Sequence, residues 1–302
     1  MALLAELPEG EARGEIATIY AEMKHLGGVP MVALIFRHLA TIPGALEWTW
    51  DAIGPLWREG RLQEAAWKMA RQASLKPLAP MPREALAALG VDEAGLREIR
   101  IVVDAYNVAN PENMLSILCL LKLLHGAKRT GTVGIRPWTP PAAPGPLVAM
   151  TDVKSMTPAV TALLDLVAAP NESGGPRVVQ SLYRHFGHRP AFLALAVTLL
   201  KQRFDDGSID GSVDTIREAM KAKAKDLARA CSAPPAPDAG IQAVCERFSS
   251  RVIPQMIVVG RLLDAALPSS SRIATGVASP KGKPAWPAKS APTSPRTGSV
   301  TP

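Results

Sequence analysis

The stretch FRHLATIPGAL occupies residues 36–46, and YRHFGHRPAFL occupies residues 183–193. Arg37, His38, Pro43 and Leu46 match Arg184, His185, Pro190 and Leu193, each 147 positions later, and Phe36 matches the aromatic Tyr183. The same offset separates Gly60 in LWREGRL from Gly207 in RFDDGSI. Around these landmarks VTALLDLVAA answers EIATIYAEMK, and GGPRVVQSLYRHFGHRP answers GGVPMVALIFRHLATIP. ERFSSRVIPQMIVVGRLL then stands where YNVANPENMLSILCLLKLL stands in the first half. A constant offset through three landmarks predicts a duplicated helical unit of roughly 120–130 residues.

The period within each unit is helical. In EIATIYAEMK the apolar residues Ile16, Ile19, Tyr20 and Met23 recur three and four apart, the spacing of one helix face. Gly27-Gly28 ends that helix, and Pro30 is expected to open the next, since proline suits a first helical position. Pro82 and Gly90 bracket REALAAL. Asp92 is placed to cap a longer helix with Leu96, Ile99, Val103 and Tyr106 on one side. Residues 126–158 carry RPWTPPAAPGP, which sustains neither a helix nor an inner strand. The expected organisation is all-α: repeat 1 over 1–125, a Pro-rich linker over 126–158, and repeat 2 over 159–267. The two repeats are expected to form one pseudo-symmetric domain. A Pro/Ser-rich tail over 268–302 follows, too poor in apolar residues to offset its ordering entropy and therefore expected to be disordered.

Charge narrows the function. The formal net charge is +7, but five basic and no acidic residues fall in the tail, which leaves the rest of the chain near neutral. That argues against nucleic acid as a partner. Cys119, Cys231 and Cys245 are far apart without a CxxC pair, so neither a zinc site nor a dithiol pair is expected. Scattered thiols suit a reducing compartment. MALLAELPEGEARGE carries Glu6, Glu9 and Glu11 and has no basic start, unlike a signal peptide. The longest largely apolar run, 191–200, broken only by Thr198, is half of what a bilayer needs, about 20 residues. A cytoplasmic protein with no membrane partner is expected.

Three groups could carry chemistry. The Arg-His pair recurs in both halves, which favours structural bonding of a neighbouring segment, with a grip on a substrate carboxylate by one arginine as the rival. His185 and His188 are three apart, but no carboxylate accompanies them, and no metal site is expected. In DAYNVANPEN, Asp104, Asn107 and Asn110 recur every three residues and form a slanting stripe. Asparagine is a poor helix-interior residue. The stripe either caps or kinks the helix ahead of Pro111 or supplies a polar lining to an apolar cavity.

Taken together, GEIATIY, VPMVALIFRHLATIPGAL and VVDAYNVANPENM resemble the group I 2-haloacid dehalogenases, whose members act on D or on both D and L substrates. The likeness runs from Glu15 to about Leu267. It implies an all-helical, two-repeat, dimeric and cofactor-independent hydrolase of small 2-halocarboxylic acids. An aspartate activates a water in this family. That water attacks C2 directly and expels halide, and an asparagine binds the water. By resemblance that asparagine is Asn110, and Met31, Ala33 and Leu34 line the pocket.

The aspartate does not carry over. It belongs on PRVVQSLYRHF, where anchoring on Pro190 gives Leu182 and anchoring on Gly175-Pro176 gives Val179. No carboxylate stands between Glu172 and Asp205. A positioned base contributes ~10²–10⁴-fold, which neither Leu nor Val supplies. Asp104 is the replacement base expected from the stripe, with Asn107 beside it in the pocket. His185 is a second replacement, with an unperturbed pKa near 6.5 that suits a base. The alternative is a catalytically different or inactive protein that binds a small apolar carboxylate.

Overall fold

Ala- and Leu-rich segments with apolar residues three and four apart bury a continuous stripe only when wound as helices. The computed structural model describes residues 5–127, 138–170 and 177–269, apart from 232, 234 and 239. The helices of the first half are α1 (Gly14–Gly27), α2 (Leu34–Leu39), α3 (Ala45–Arg58), α4 (Arg61–Ala70), α5 (Arg83–Ala88) and α6 (Glu93–Leu124). Those of the second are α7 (Pro158–Val167), α8 (Ser181–His185), α9 (Pro190–Asp205), α10 (Ser208–Ala228), α11 (Gly240–Arg247) and α12 (Ile253–Ala266). Among the described residues there is no strand, only an isolated antiparallel bridge between Ala169 and Val178. The expected tail lies outside the described residues from 270 onward.

The centre of the fold is α6. Its 32 residues span about 48 Å, and Asp92 caps it by accepting from the Gly95 N–H at 2.7 Å. It packs against α4 from the first half and against α10, α11 and α12 from the second, so both halves share one core. No helix among the described residues is long and apolar enough to cross a membrane.

Residues 147 apart share local geometry. Gly60 and Gly207 precede α4 and α10 with φ/ψ of 66°/2° and 72°/2°, a left-handed conformation that costs other residues a Cβ clash. The Arg-His pairs do the same job twice. His38 Nδ1 donates to the Ala5 carbonyl at 2.6 Å, and His185 Nδ1 donates to the Val148 carbonyl at 2.6 Å. The backbone of Leu7 donates to the Arg37 carbonyl at 2.9 Å, and that of Thr151 to the Arg184 carbonyl at 3.0 Å. Each pair therefore holds an extended segment that leads into its half. His188 joins the second clasp through Ala149 at 2.7 Å. Among the described residues no His/Cys/Asp/Glu cluster could hold a metal ion.

Two expectations about helix starts are corrected. Pro30 does not open a helix; α2 begins at Leu34. The Val32 N–H donates to Glu9 Oε1 at 2.8 Å, and the Val32 carbonyl accepts from Arg37. With both backbone groups engaged by side chains, the chain stays extended to Ala33. Likewise PRVVQSLYRHF is helical only from Ser181. Val178 exchanges backbone hydrogen bonds of 2.9 and 3.0 Å with Ala169 instead.

Candidate active site

Those two extended entries form the walls of one cavity. Residues Met31–Ile35 and Arg37 come from the entry and start of α2, and Val178–Ser181 from the entry and first residue of α8. The floor comes from Tyr106, Ala109, Asn110 and Asn113 on α6, with Phe248, Val252, Ile253 and Met256 on the α12 side. A π-helical turn at Phe248–Val252 turns Phe248 and Val252 into this wall. The centres of water-sized spheres have about 60 Å³ there, where a single water needs about 10–15 Å³. The room suits a few waters or one small acid.

Most of the lining is apolar, and its polar groups are few. Asn110 is 7% exposed and Gln180 3%. Among the described residues, the Asn110 Nδ2 and both polar atoms of the Gln180 amide have no hydrogen-bond partner. A buried polar group left unpaired costs about 1–3 kcal/mol, so these amides are available to bond a water or a ligand in the cavity. Arg37 is the cation among the described lining residues. Its Nε donates to Glu6 Oε2 at 2.8 Å, and Nη2 lies 2.7 Å from the same oxygen. With Nη1 on the Val32 carbonyl, two of its five N–H groups remain for a ligand carboxylate. Arg184, its counterpart, donates to the Thr151 carbonyl at 3.2 Å and does not line the cavity. Burial pushes the Tyr106 phenol up to about 12, against a smaller opposing pull from Arg37 and a hydrogen bond with Ser181. It stays protonated at neutral pH.

The structure brings together Asn110, Met31, Ala33, Leu34 and Val179 from the sequence-derived set. It does not bring Asp104, Asn107 or Leu182 to the cavity. Asp104 is on an exposed side of α6. Asn107 Nδ2 donates to the Gly260 carbonyl at 3.2 Å, where α6 crosses α12. Leu182 is fully buried in the core. His185, the last residue of α8, lines a separate hollow with Glu98, His188 and Arg189. Among the described lining residues there is no Asp, Glu, His, Cys or Lys. The residue that reading the sequence passed over is Gln180. A search confined to carboxylates skips an amide, although the 147-residue offset pairs it with Ala33, already placed in the pocket.

No protein-family model matches the chain. The curated relatives it resembles are two configuration-inverting 2-haloacid dehalogenases. That from Alcaligenes xylosoxydans xylosoxydans is 28% identical over 183 residues, which cover 58% of this chain and 62% of the relative. That from Pseudomonas sp. (strain 113) is 26% identical over 127 residues, covering 42% and 41%. The matches thus span about three fifths and two fifths of those relatives' lengths. Among solved structures, a D-2-haloacid dehalogenase mutant in complex with D-2-CPA superposes with a TM-score of 0.67 at 18% identity, covering 88% of this chain and 97% of that one. The fold is that of the D-2-haloacid dehalogenases. A second structure of a D-2-haloacid dehalogenase, in complex with L-LA, gives a TM-score of 0.64 at 19% identity over 88% of this chain and 94% of that one. The dehalogenase fold therefore extends over the greater part of both halves, well beyond the reach of the sequence matches.

Proposed function

We propose that this protein is a 2-haloacid dehalogenase-like hydrolase that takes a small 2-halocarboxylic acid in the cavity between α2, α6, α8 and α12. The observation that carries the reading is the set of unpaired amides, Asn110 and Gln180, beside the Arg37 guanidinium in a small apolar cavity on a dehalogenase fold. The substrate carboxylate bonds the remaining Arg37 N–H groups, and its alkyl group packs on Met31, Leu34 and Val179. A water bonded to Asn110 attacks C2, the carbon–halogen bond breaks, and halide leaves with its electron pair. The attacking oxygen sheds a proton to a further water, which leaves a 2-hydroxy acid.

The same reading keeps the division into 1–125, 126–158, 159–267 and 268–302, supported by the matched glycine turns and Arg-His clasps. It also carries a homodimeric, cytoplasmic protein without a cofactor, in which three free buried cysteines suit a reducing compartment.

Halide release from 2-bromopropionate tests the function, with Asn110→Leu as the control. Release that falls at least tenfold in the variant supports it. Release unchanged by the variant places the reaction elsewhere. A second reading, binding without turnover, is favoured by the absence of a carboxylate among the lining residues. It predicts that small 2-substituted acids raise the melting temperature of the wild type without releasing halide.

A further inference from the structure

We infer that Gln180 holds the attacking water opposite Asn110, so that a neutral amide stands where water activation calls for a base. The inference rests on the hydrolase reading given above.

Gln180 is the residue before α8, with extended backbone at φ −72° and ψ 146°. That conformation puts its side chain into the cavity and leaves the helix to begin at Ser181. No cap hydrogen bond is made by the side chain, and neither Oε1 nor Nε2 has a partner. A long polar side chain that neither caps its helix nor bonds a neighbour is explained by a ligand. Ala33, at the matching place before α2, fills the opposite wall without a polar atom.

The chemistry of the two amides is complementary to one water. Asn110 Nδ2 is a free donor and Gln180 Oε1 a free acceptor. A water that accepts from the first and donates to the second keeps one lone pair for C2. An amide orients a water but does not take its proton, the division of labour known from glutamine in phosphoryl hydrolases. The proton released on attack therefore passes to a second water. Without a base the step forgoes the ~10²–10⁴-fold that positioned proton transfer contributes. Gln180 is thus a water-positioning residue, and a carboxylate at the same atom positions would supply the missing function.

The test is halide release from 2-bromopropionate by the wild type, Gln180→Glu and Gln180→Leu, with circular dichroism confirming the fold. Gln180→Glu is expected to raise the rate about 10²-fold or more and to add an ionisation to the pH–rate profile that the wild type lacks. Gln180→Leu is expected to lower the rate at least tenfold. Wild-type rates and profiles in both folded variants overturn the inference while leaving the hydrolase reading intact. Should Gln180→Glu fail to fold, Gln180→Leu decides alone: unchanged release overturns the inference and lost release upholds it. A wild type that releases no halide sinks the hydrolase reading. Release by Gln180→Glu then still upholds the placement of the water, and none from a folded Gln180→Glu overturns it.

Discussion

Ala33 and Gln180 are the residues that precede α2 and α8, and both line the same cavity. Their backbones agree within a few degrees, at φ/ψ of −65°/147° and −72°/146°. One scaffold position thus carries a methyl group in one half and an amide in the other.

Arg37 and Arg184 show a similar division, and mutation should separate them. Arg37 bonds Glu6 and Val32 and borders the cavity, whereas Arg184 makes one bond to a backbone carbonyl. Hydrogen bonds to a charged group contribute about 1.5–3 kcal/mol, reduced here because Glu6 is partly exposed. Arg37→Leu should cost about 2 kcal/mol in denaturant unfolding and also weaken binding of a small carboxylate in calorimetry. Arg184→Leu should cost about 1 kcal/mol and leave binding unchanged.

Glu112 predicts a pH dependence of stability. It is fully buried, neither carboxylate oxygen has a partner, and burial holds its pKa well above the carboxylate range. It follows Pro111 and lies against Gly27 at the end of α1, since a Cβ there would fall 2.8 Å from its Oε2. Gln255 follows Pro254 in the other half and donates to Val167, at the end of α7, at 2.8 Å. The native state keeps the Glu112 proton to a higher pH than the unfolded chain does. Stability from this group is full below the ordinary carboxylate pKa and is lost as pH rises towards the folded value. Glu112→Gln should remove that decline, and melting temperatures measured over pH 5–9 would show it.

His185 acts on the acid side. Burial lowers its pKa, with the hydrogen bond to Val148 opposing. The unfolded chain therefore takes up a proton first as pH falls below about 6.5, and stability drops from there towards the folded pKa. His185→Asn, whose amide can donate to Val148 in place of Nδ1, should flatten the melting temperature between pH 6.5 and 5. A slope unchanged in that variant would assign the acid sensitivity to other groups.

The two glycine turns should differ in cost. A Cβ on Gly207 meets nothing within 4 Å, whereas one on Gly60 would fall 2.0 Å from the Trp138 ring. The left-handed backbone alone costs about 1–2 kcal/mol, and overpacking adds about 1–3 kcal/mol. Gly207→Ala should lose the first amount and Gly60→Ala both, as read from urea unfolding.

The helices were legible because apolar spacing is local, and so was the 147-residue spacing of the Arg-His pairs and of Gly60 and Gly207. The extended entries at 31–33 and 177–180 were not. The first is fixed by Glu9 and Arg37, and the bond from Val32 to Glu9 exists only once the segment before α1 folds back on the entry to α2. Asp104, Asn107 and Asn110 are three apart on α6, and residues three apart drift round a helix. Asn110 reaches the cavity, Asn107 meets α12 and Asp104 is exposed on another side of α6. Which member faces a cavity depends on neighbours that periodicity does not name.

The most direct measurement is a crystal structure of the wild type soaked with 2-bromopropionate, with bromine located by its anomalous scattering. The account predicts bromine inside the cavity, on the side of C2 away from Asn110 and Gln180, with the carboxylate on Arg37. Bromine bound at another place, with this cavity holding only water, would contradict it.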